Sequence, residues 1–275
     1  MTALDITQLV VIAVVQGITE FLPISSSGHL ILIPALTHWP DQGLPIDVAV
    51  HIGTLGAVLL YFWREVWSLL KVLRRPIGPT DRVSREGIDR HLFYCILAAT
   101  IPIIFIGGAI WTLNMTEELR SVYLIAFDSI FWGILLFIAD RFAPGDREIK
   151  DLSYKQAFLV GVMQCLALLP GTSRSGVTMT AGRFLGLKRV EAANFSFLIS
   201  IPAITAAGIA GVYEIIQLGN VELEHDALFS GFIAFISGIA AIAFLLNWLK
   251  RKGMTVFVIY RVILGVVLLF WAAHL

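Results

Sequence analysis

Six apolar stretches, each long enough to cross a bilayer, restrict this chain more than any other feature in it. They lie at roughly 46–63, 92–111, 121–140, 193–213, 228–248 and 256–274. A helix crossing the hydrocarbon needs about 20 mostly apolar residues. In lipid the backbone satisfies its own polar groups only as a helix or a closed barrel. Charged types make up 15% of the 275 residues, against about 25% in a soluble domain, which is too little to coat a soluble globule. The 20 acidic and 20 basic residues balance, which excludes an electrostatic nucleic-acid binder. Cys95 and Cys165 lie inside apolar runs, with neither metal-ligand spacing nor a disulfide framework. The expected class is an all-α integral membrane protein.

Two further apolar segments, 6–36 and 156–187, are each broken by a polar knot: LPISSSGH at 22–29 and LPGTSRSG at 169–176. The flanks are too short to span comfortably, and Pro23 and Pro170–Gly171 interrupt a helix there. Each segment is expected to be a re-entrant helical hairpin, shielded by protein or a water-lined cavity. Gln16-x11-Gly28 aligns with Gln164-x11-Gly176, so that Ser25, Ser26, Ser27 and Gly28 face Ser173, Arg174, Ser175 and Gly176. Three spans follow each knot, and VYLIAFDSIFWGILLF from Val122 resembles VFVIYRVILGVVLLF from Val256. Because three is odd, the second half is inverted. The expected fold is one membrane domain of two inverted repeats, approximately 1–142 and 150–275, with the two knots meeting near the midplane.

Basic residues orient the spans. Arg64, Lys71, Arg74, Arg75, Arg82, Arg85 and Arg90 crowd one loop; Arg141, Arg147, Lys150 and Lys155 follow the third span, and Lys250, Arg251 and Lys252 the fifth. The opposite loops hold Arg120, Glu117, Glu118, Glu214, Glu222, Glu224 and Asp226. The basic loops are therefore expected in the cytoplasm and both termini outside.

Ionisable side chains at depth cost about 2.5–3.5 kcal/mol or more each, so they are candidates for function. Arg183, Glu191 and Arg261 lie near span ends, where snorkelling accounts for them. Asp128 reads as a packing or pairing residue, and His51 as a satisfied structural histidine. Glu20, His29 and Arg174 instead gather at the knots. Gln16 and Glu20 (i, i+4), Ser26 and His29 (i, i+3), and Arg174 and Thr178 (i, i+4) each share a helix face. Two helix N-termini, the Arg174 guanidinium and the hydroxyls of Ser25, Ser26, Ser27, Thr172, Ser173 and Ser175 would cradle a phosphate. Glu20 and His29 add acid–base capacity. Either Ser26 activated by His29, or a water activated by His29 or Glu20, would be the nucleophile.

On these residues the chain resembles the undecaprenyl-diphosphate phosphatase, or bacitracin-resistance protein, family. QGITEFLPISSSGH at 16–29 is similar to the first signature of that family and PGTSRSGVT at 170–178 to the second. Gln16 stands where many members carry a second glutamate. The resemblance implies a bacterial plasma-membrane enzyme that hydrolyses a C55 polyprenyl diphosphate to the monophosphate, recycling the lipid carrier of cell-wall synthesis. It implies Glu20, Ser26, His29 and Arg174 as catalytic residues, Ser173 and Thr178 on the diphosphate, and Gln16 in support. It also implies a divalent cation, Mg or Ca; Glu20 would hold that ion or orient His29. Partners are the lipid substrate, membrane lipids and, as an option, a second copy in a homodimer. A flippase using the same inverted-repeat site is the alternative. A second membrane lipid-phosphatase superfamily fits poorly, because the sixth residue after Arg174 is Thr180 rather than histidine.

Overall fold

The computed structural model describes residues 4–37, 39–74, 84–113, 121–218 and 224–274. Arg75, Arg82, Glu117, Glu118, Arg120 and Glu222 lie outside the described residues, as does the side chain of Glu224. Among the described residues the chain is all-helical, apart from one isolated bridge between Arg147 and Leu187. Six helices are long and apolar enough to cross a membrane. These are α3 (Gly43–Tyr61), α5 (Arg85–Thr112), α6 (Val122–Phe142), α9 (Arg189–Leu218), α10 (Glu224–Leu249) and α11 (Thr255–Ala272). Each covers one of the expected stretches. The chain is a multi-pass membrane protein.

Between these helices lie shorter ones: α1 (Ile6–Phe21), α2 (Ser26–Thr37), α4 (Trp63–Val72), α7 (Tyr154–Cys165) and α8 (Arg174–Phe184). Helix α5 starts seven residues before the apolar stretch, because the Ser84 hydroxyl caps the Gly87 amide. The sequence reading contains no counterpart to α4, which is too short and too charged to register as a span.

Small residues let the helices cross closely. A Cβ on Gly53 of α3 would lie 2.1 Å from the Gly231 carbonyl oxygen on α10. One on Gly17 of α1 would lie 1.9 Å from Ser237 Oγ, also on α10. Helix α6 packs along α11, and α5 along α7. Phe21, Ala57, Val58, Phe197, Leu245 and Met254 form the centre of the largest apolar cluster.

A buried carboxylate ties one end of the bundle. Asp140, near the end of α6, accepts from Arg189 Nε at 2.6 Å and from the Met254 amide at 3.0 Å, and Arg183 Nε lies 3.4 Å away. The carboxylate thus joins the beginnings of α9 and α11 to the end of α8. Arg183 does not snorkel as expected from its position near a span end. It is buried, and its guanidinium donates to the Leu187 and Asp140 carbonyls. At the other end of α6, the Tyr123 hydroxyl donates to the Ala272 carbonyl at 2.7 Å. Near the start of α1, Gln8 Nε2 donates to the carbonyl of Pro40, in the connection between α2 and α3, also at 2.7 Å.

Candidate active site

Both knots are sharp turns between two short helices, and their backbones match in detail. Ser25 (φ 76°) and Ser173 (φ 71°) are the non-glycine residues with positive φ among the described residues, and each immediately precedes a helix, α2 or α8. Each hydroxyl accepts from the amide three residues on: Gly28 N at 3.4 Å and Gly176 N at 3.1 Å. Each also sits against the next serine hydroxyl but one, Ser27 at 3.4 Å and Ser175 at 3.3 Å. Such a backbone costs roughly 1–3 kcal/mol per residue and survives only where surrounding contacts impose it. At Gly171 (φ 93°) a Cβ would stand 2.7 Å from the Ile125 Cα.

The turns touch. Ser175 Oγ donates to the Leu22 carbonyl at 2.9 Å, linking the second turn to the first. Glu20 then binds both sides. Its Oε1 accepts from Arg174 Nη2 at 2.7 Å; its Oε2 accepts from Ser26 Oγ at 2.7 Å and Gln16 Nε2 at 3.1 Å. Arg174 is fixed again by Nη1, which donates to the Ser196 carbonyl of α9 at 3.1 Å.

Arg261 departs most from the sequence reading. Rather than snorkelling to an interface, it is fully buried and hydrogen-bonded to backbone carbonyls on every side. Nη1 donates to Pro23 at 3.2 Å in the first turn. Nη2 donates to Gly171 at 2.9 Å and Thr172 at 3.0 Å in the second, and to Asp128 of α6 at 3.1 Å. Nε donates to Ser129 at 3.1 Å. One guanidinium therefore clamps both turns from beneath. Only its flat fork of five donors offers that geometry. Asp128 pairs, as expected, and its carboxylate accepts from Thr172 Oγ1 at 2.9 Å.

The hydroxyls divide into two groups. Ser25, Thr172, Ser173, Ser175 and Thr178 are buried, and their hydroxyls are engaged with the protein; Thr178 Oγ1 meets Arg174, Ser175 and Ser196. Ser26, Ser27, His29 and Arg174 keep partial exposure. The buried hydroxyls thus shape the turns, while the four half-buried side chains are the ones left partly accessible.

Ser26 and His29 share a helix face but are not partnered. The Ser26 proton points to Glu20, whereas His29 Nδ1 donates to the Ser25 carbonyl at 2.6 Å and Nε2 lies 2.5 Å from the Tyr260 hydroxyl. The carboxylate, not the imidazole, is therefore positioned to take the serine proton. His51, expected to be structural, brings Nε2 to 4.0 Å from Glu20 Oε2 while Nδ1 donates to the Asp47 carbonyl at 2.7 Å. The sequence reading misses His51, Tyr260 and Ser196 at the site. Each comes from a span outside the knots, Tyr260 from one 231 residues away from His29, and the alignment of the two knots points to none of them. A serine hydroxyl against a carboxylate, an adjacent guanidinium and two helix N-termini is an arrangement suited to phosphoryl transfer.

The family described as bacitracin resistance protein BacA matches residues 9–267. An undecaprenyl-diphosphatase of Erythrobacter litoralis is 48% identical over 95% of this chain and 98% of its own length. One of a Ruegeria species is 43% identical over 98% and 99%. An undecaprenyl-diphosphatase 2 of Stutzerimonas stutzeri is 46% identical over 97% and 98%.

Proposed function

The chain belongs to the bacitracin resistance protein BacA family, and on that premise we propose that it hydrolyses undecaprenyl diphosphate to the monophosphate and inorganic phosphate, recycling a lipid carrier of cell-wall synthesis. The observation that carries this reading is the Glu20 carboxylate, shared by Ser26 of one turn and Arg174 of the other. The relatives bear diphosphatase names, which gives the flippase alternative no support.

The terminal phosphate docks on Arg174 and the two helix N-termini, while the prenyl chain stays in lipid. Its charge competes with Glu20 for the guanidinium, which leaves the carboxylate freer to act as a base. Ser26 Oγ attacks the terminal phosphorus as its proton passes to Glu20. The bond to the bridging oxygen breaks, and the electron pair leaves with the polyprenyl monophosphate. Water then attacks the phosphoserine and gives a proton to His29 Nε2. Ser26 Oγ leaves and recovers the proton held by Glu20, and His29 returns its own to solvent.

A divalent cation, Mg or Ca, fits beside this centre. Gln16 Oε1 is buried with no hydrogen-bond partner, next to the Glu20 carboxylate that Gln16 Nε2 contacts. Among the described residues no three His, Cys, Asp or Glu side chains converge. Mg2+ is commonly held by one or two carboxylates together with substrate phosphates, so Glu20 and Gln16 would be its protein ligands. When bound, the ion would neutralise diphosphate charge.

The finer architecture belongs to the same proposal. The α1/α2 and α7/α8 pairs are re-entrant hairpins of two inverted repeats in one membrane domain. The paired geometry of Ser25 and Ser173 supports this, as does its agreement with the register of the two sequence motifs. The basic loops lie in the cytoplasm of a bacterial inner membrane and both termini lie outside. A homodimer would form through lipid-facing helices, and the mass of the solubilised chain tests it.

The reading is tested with purified chain in detergent, where no gradient exists to drive transport. Phosphate release from C55 polyprenyl diphosphate, lost on adding a chelator and restored by Mg2+ or Ca2+, is the expected result. Folded chain that binds the diphosphate and releases no phosphate with either ion would overturn it.

A further inference from the structure

The structure assigns Tyr260 as the positioning residue for His29, an inference that rests on the role proposed above for that histidine. A carbonyl oxygen only accepts, so the 2.6 Å contact between Nδ1 and the Ser25 carbonyl places a proton on Nδ1. In the neutral ring Nε2 is then the acceptor, and the Tyr260 hydroxyl 2.5 Å away is the donor. The two rings also lie nearly parallel, 11° apart with centroids 5.7 Å apart. The Ser25 carbonyl thus sets the tautomer, and the tyrosine hydroxyl and ring hold Nε2 and the plane of the imidazole, much as an outer partner orients a catalytic or metal-binding histidine.

Tyr260 is itself well placed to do this. It stands next in sequence to Arg261, whose guanidinium grips the carbonyls of Pro23, Gly171 and Thr172. The backbone of α11 is therefore tied to both turns at the point where the phenol departs. The residue stays 42% exposed, so the phenol is not enclosed in the core. The position its hydroxyl occupies on Nε2 is the one an attacking water would take. Departure of the phenol hydroxyl on substrate binding would leave the lone pair aimed at that water, with Nδ1 still held by Ser25.

Tyr260→Phe keeps the ring and removes only the hydroxyl; Tyr260→Leu removes both. The first readout is the 15N spectrum of imidazole-labelled protein in detergent, with the His29 signals identified by their disappearance in His29→Gln. Both proteins should show the Nδ1–H tautomer at His29, with the Nε2 signal of the wild type at a hydrogen-bonded position and that of Tyr260→Phe shifted downfield by loss of its donor. The second readout is kinetic. If His29 serves only the water step, Tyr260→Phe should lower kcat by about 10- to 100-fold while kcat/KM stays within about twofold of the wild type. A purely structural role would lower both together with the melting temperature. An unshifted Nε2 signal in Tyr260→Phe, or wild-type kcat in that variant, would overturn the assignment. Full activity in His29→Gln would instead remove the role proposed for His29, and the spectrum would still decide whether Tyr260 positions the ring.

Discussion

At the scale of single residues, Glu20 matters most because three donors share one small carboxylate. Breaking a buried ion pair from one side typically costs about 3–5 kcal/mol, so Glu20→Ala mixes a loss of fold with a loss of chemistry. Glu20→Gln keeps the shape and removes the charge. Because it leaves the Arg174 guanidinium without its counter-charge, it should still lower the melting temperature, though less than Glu20→Ala, while phosphate release falls by at least about a hundredfold. Arg174→Lys keeps the charge but loses the fork that reaches both Glu20 and Ser196, and a fall of about tenfold or more in kcat/KM is expected from steady-state assays. Arg261 differs in kind. Arg261→Met leaves the carbonyls of two turns and α6 without their donor, so it should lower thermal stability markedly as well as activity. A normal melting temperature for that variant would mean that the clamp holds nothing. These residues also show how far sequence reading reaches. Glu20, Ser26, His29 and Arg174 are legible because they sit in two motifs of matching register. Arg261 and His51 are not, because a span carries no trace of what its inner face meets. The assumption that an arginine near a span end reaches for the interface fails where carbonyls are offered closer by.

At the scale of elements, the helices are held by close crossings that tolerate little. Helix α3 crosses α10 at Gly53, where an added methyl would overlap the Gly231 carbonyl. Backbone cannot step aside as a flexible side chain can, so Gly53→Ala should cost about 1–3 kcal/mol, read as a lower melting temperature in detergent. Gly171→Ala meets two obstacles, a positive φ and the backbone of α6 at Ile125. It should displace the second turn and abolish phosphate release even where the protein still accumulates in the membrane. The carboxyl of Glu148, in the connection between α6 and α7, is held down, to about 2, by Lys150 beside it and by Lys188 from the turn before α9. A depressed carboxylate contributes above its ordinary range, and that contribution is lost as pH falls towards 2. This exposed contact should therefore be sensitive to salt at neutral pH and unchanged between pH 7 and 5. The six spans were legible from hydropathy alone, since bilayer thickness sets their length. Helix α4 was not, being short and rich in both tryptophan and charge.

At the scale of the whole molecule, the site exists only because segments distant in sequence converge. The first turn supplies Glu20, Ser26 and His29 and the second supplies Arg174; α11 supplies the clamp and the phenol, and α9 anchors the guanidinium. The serine and carboxylate of the site come from the first half of the chain and its guanidinium from the second. The division of labour therefore predicts that substitutions on either side of the interface fail alike. The direct measurement is inorganic phosphate released from C55 polyprenyl diphosphate by purified wild type, Ser26→Ala and Arg174→Ala, each first shown to be folded by its melting curve. Turnover by the wild type, with a loss of at least about a hundredfold in both variants, is the predicted result. Near-normal turnover by folded Arg174→Ala would contradict it, because the second turn would then contribute nothing to the chemistry.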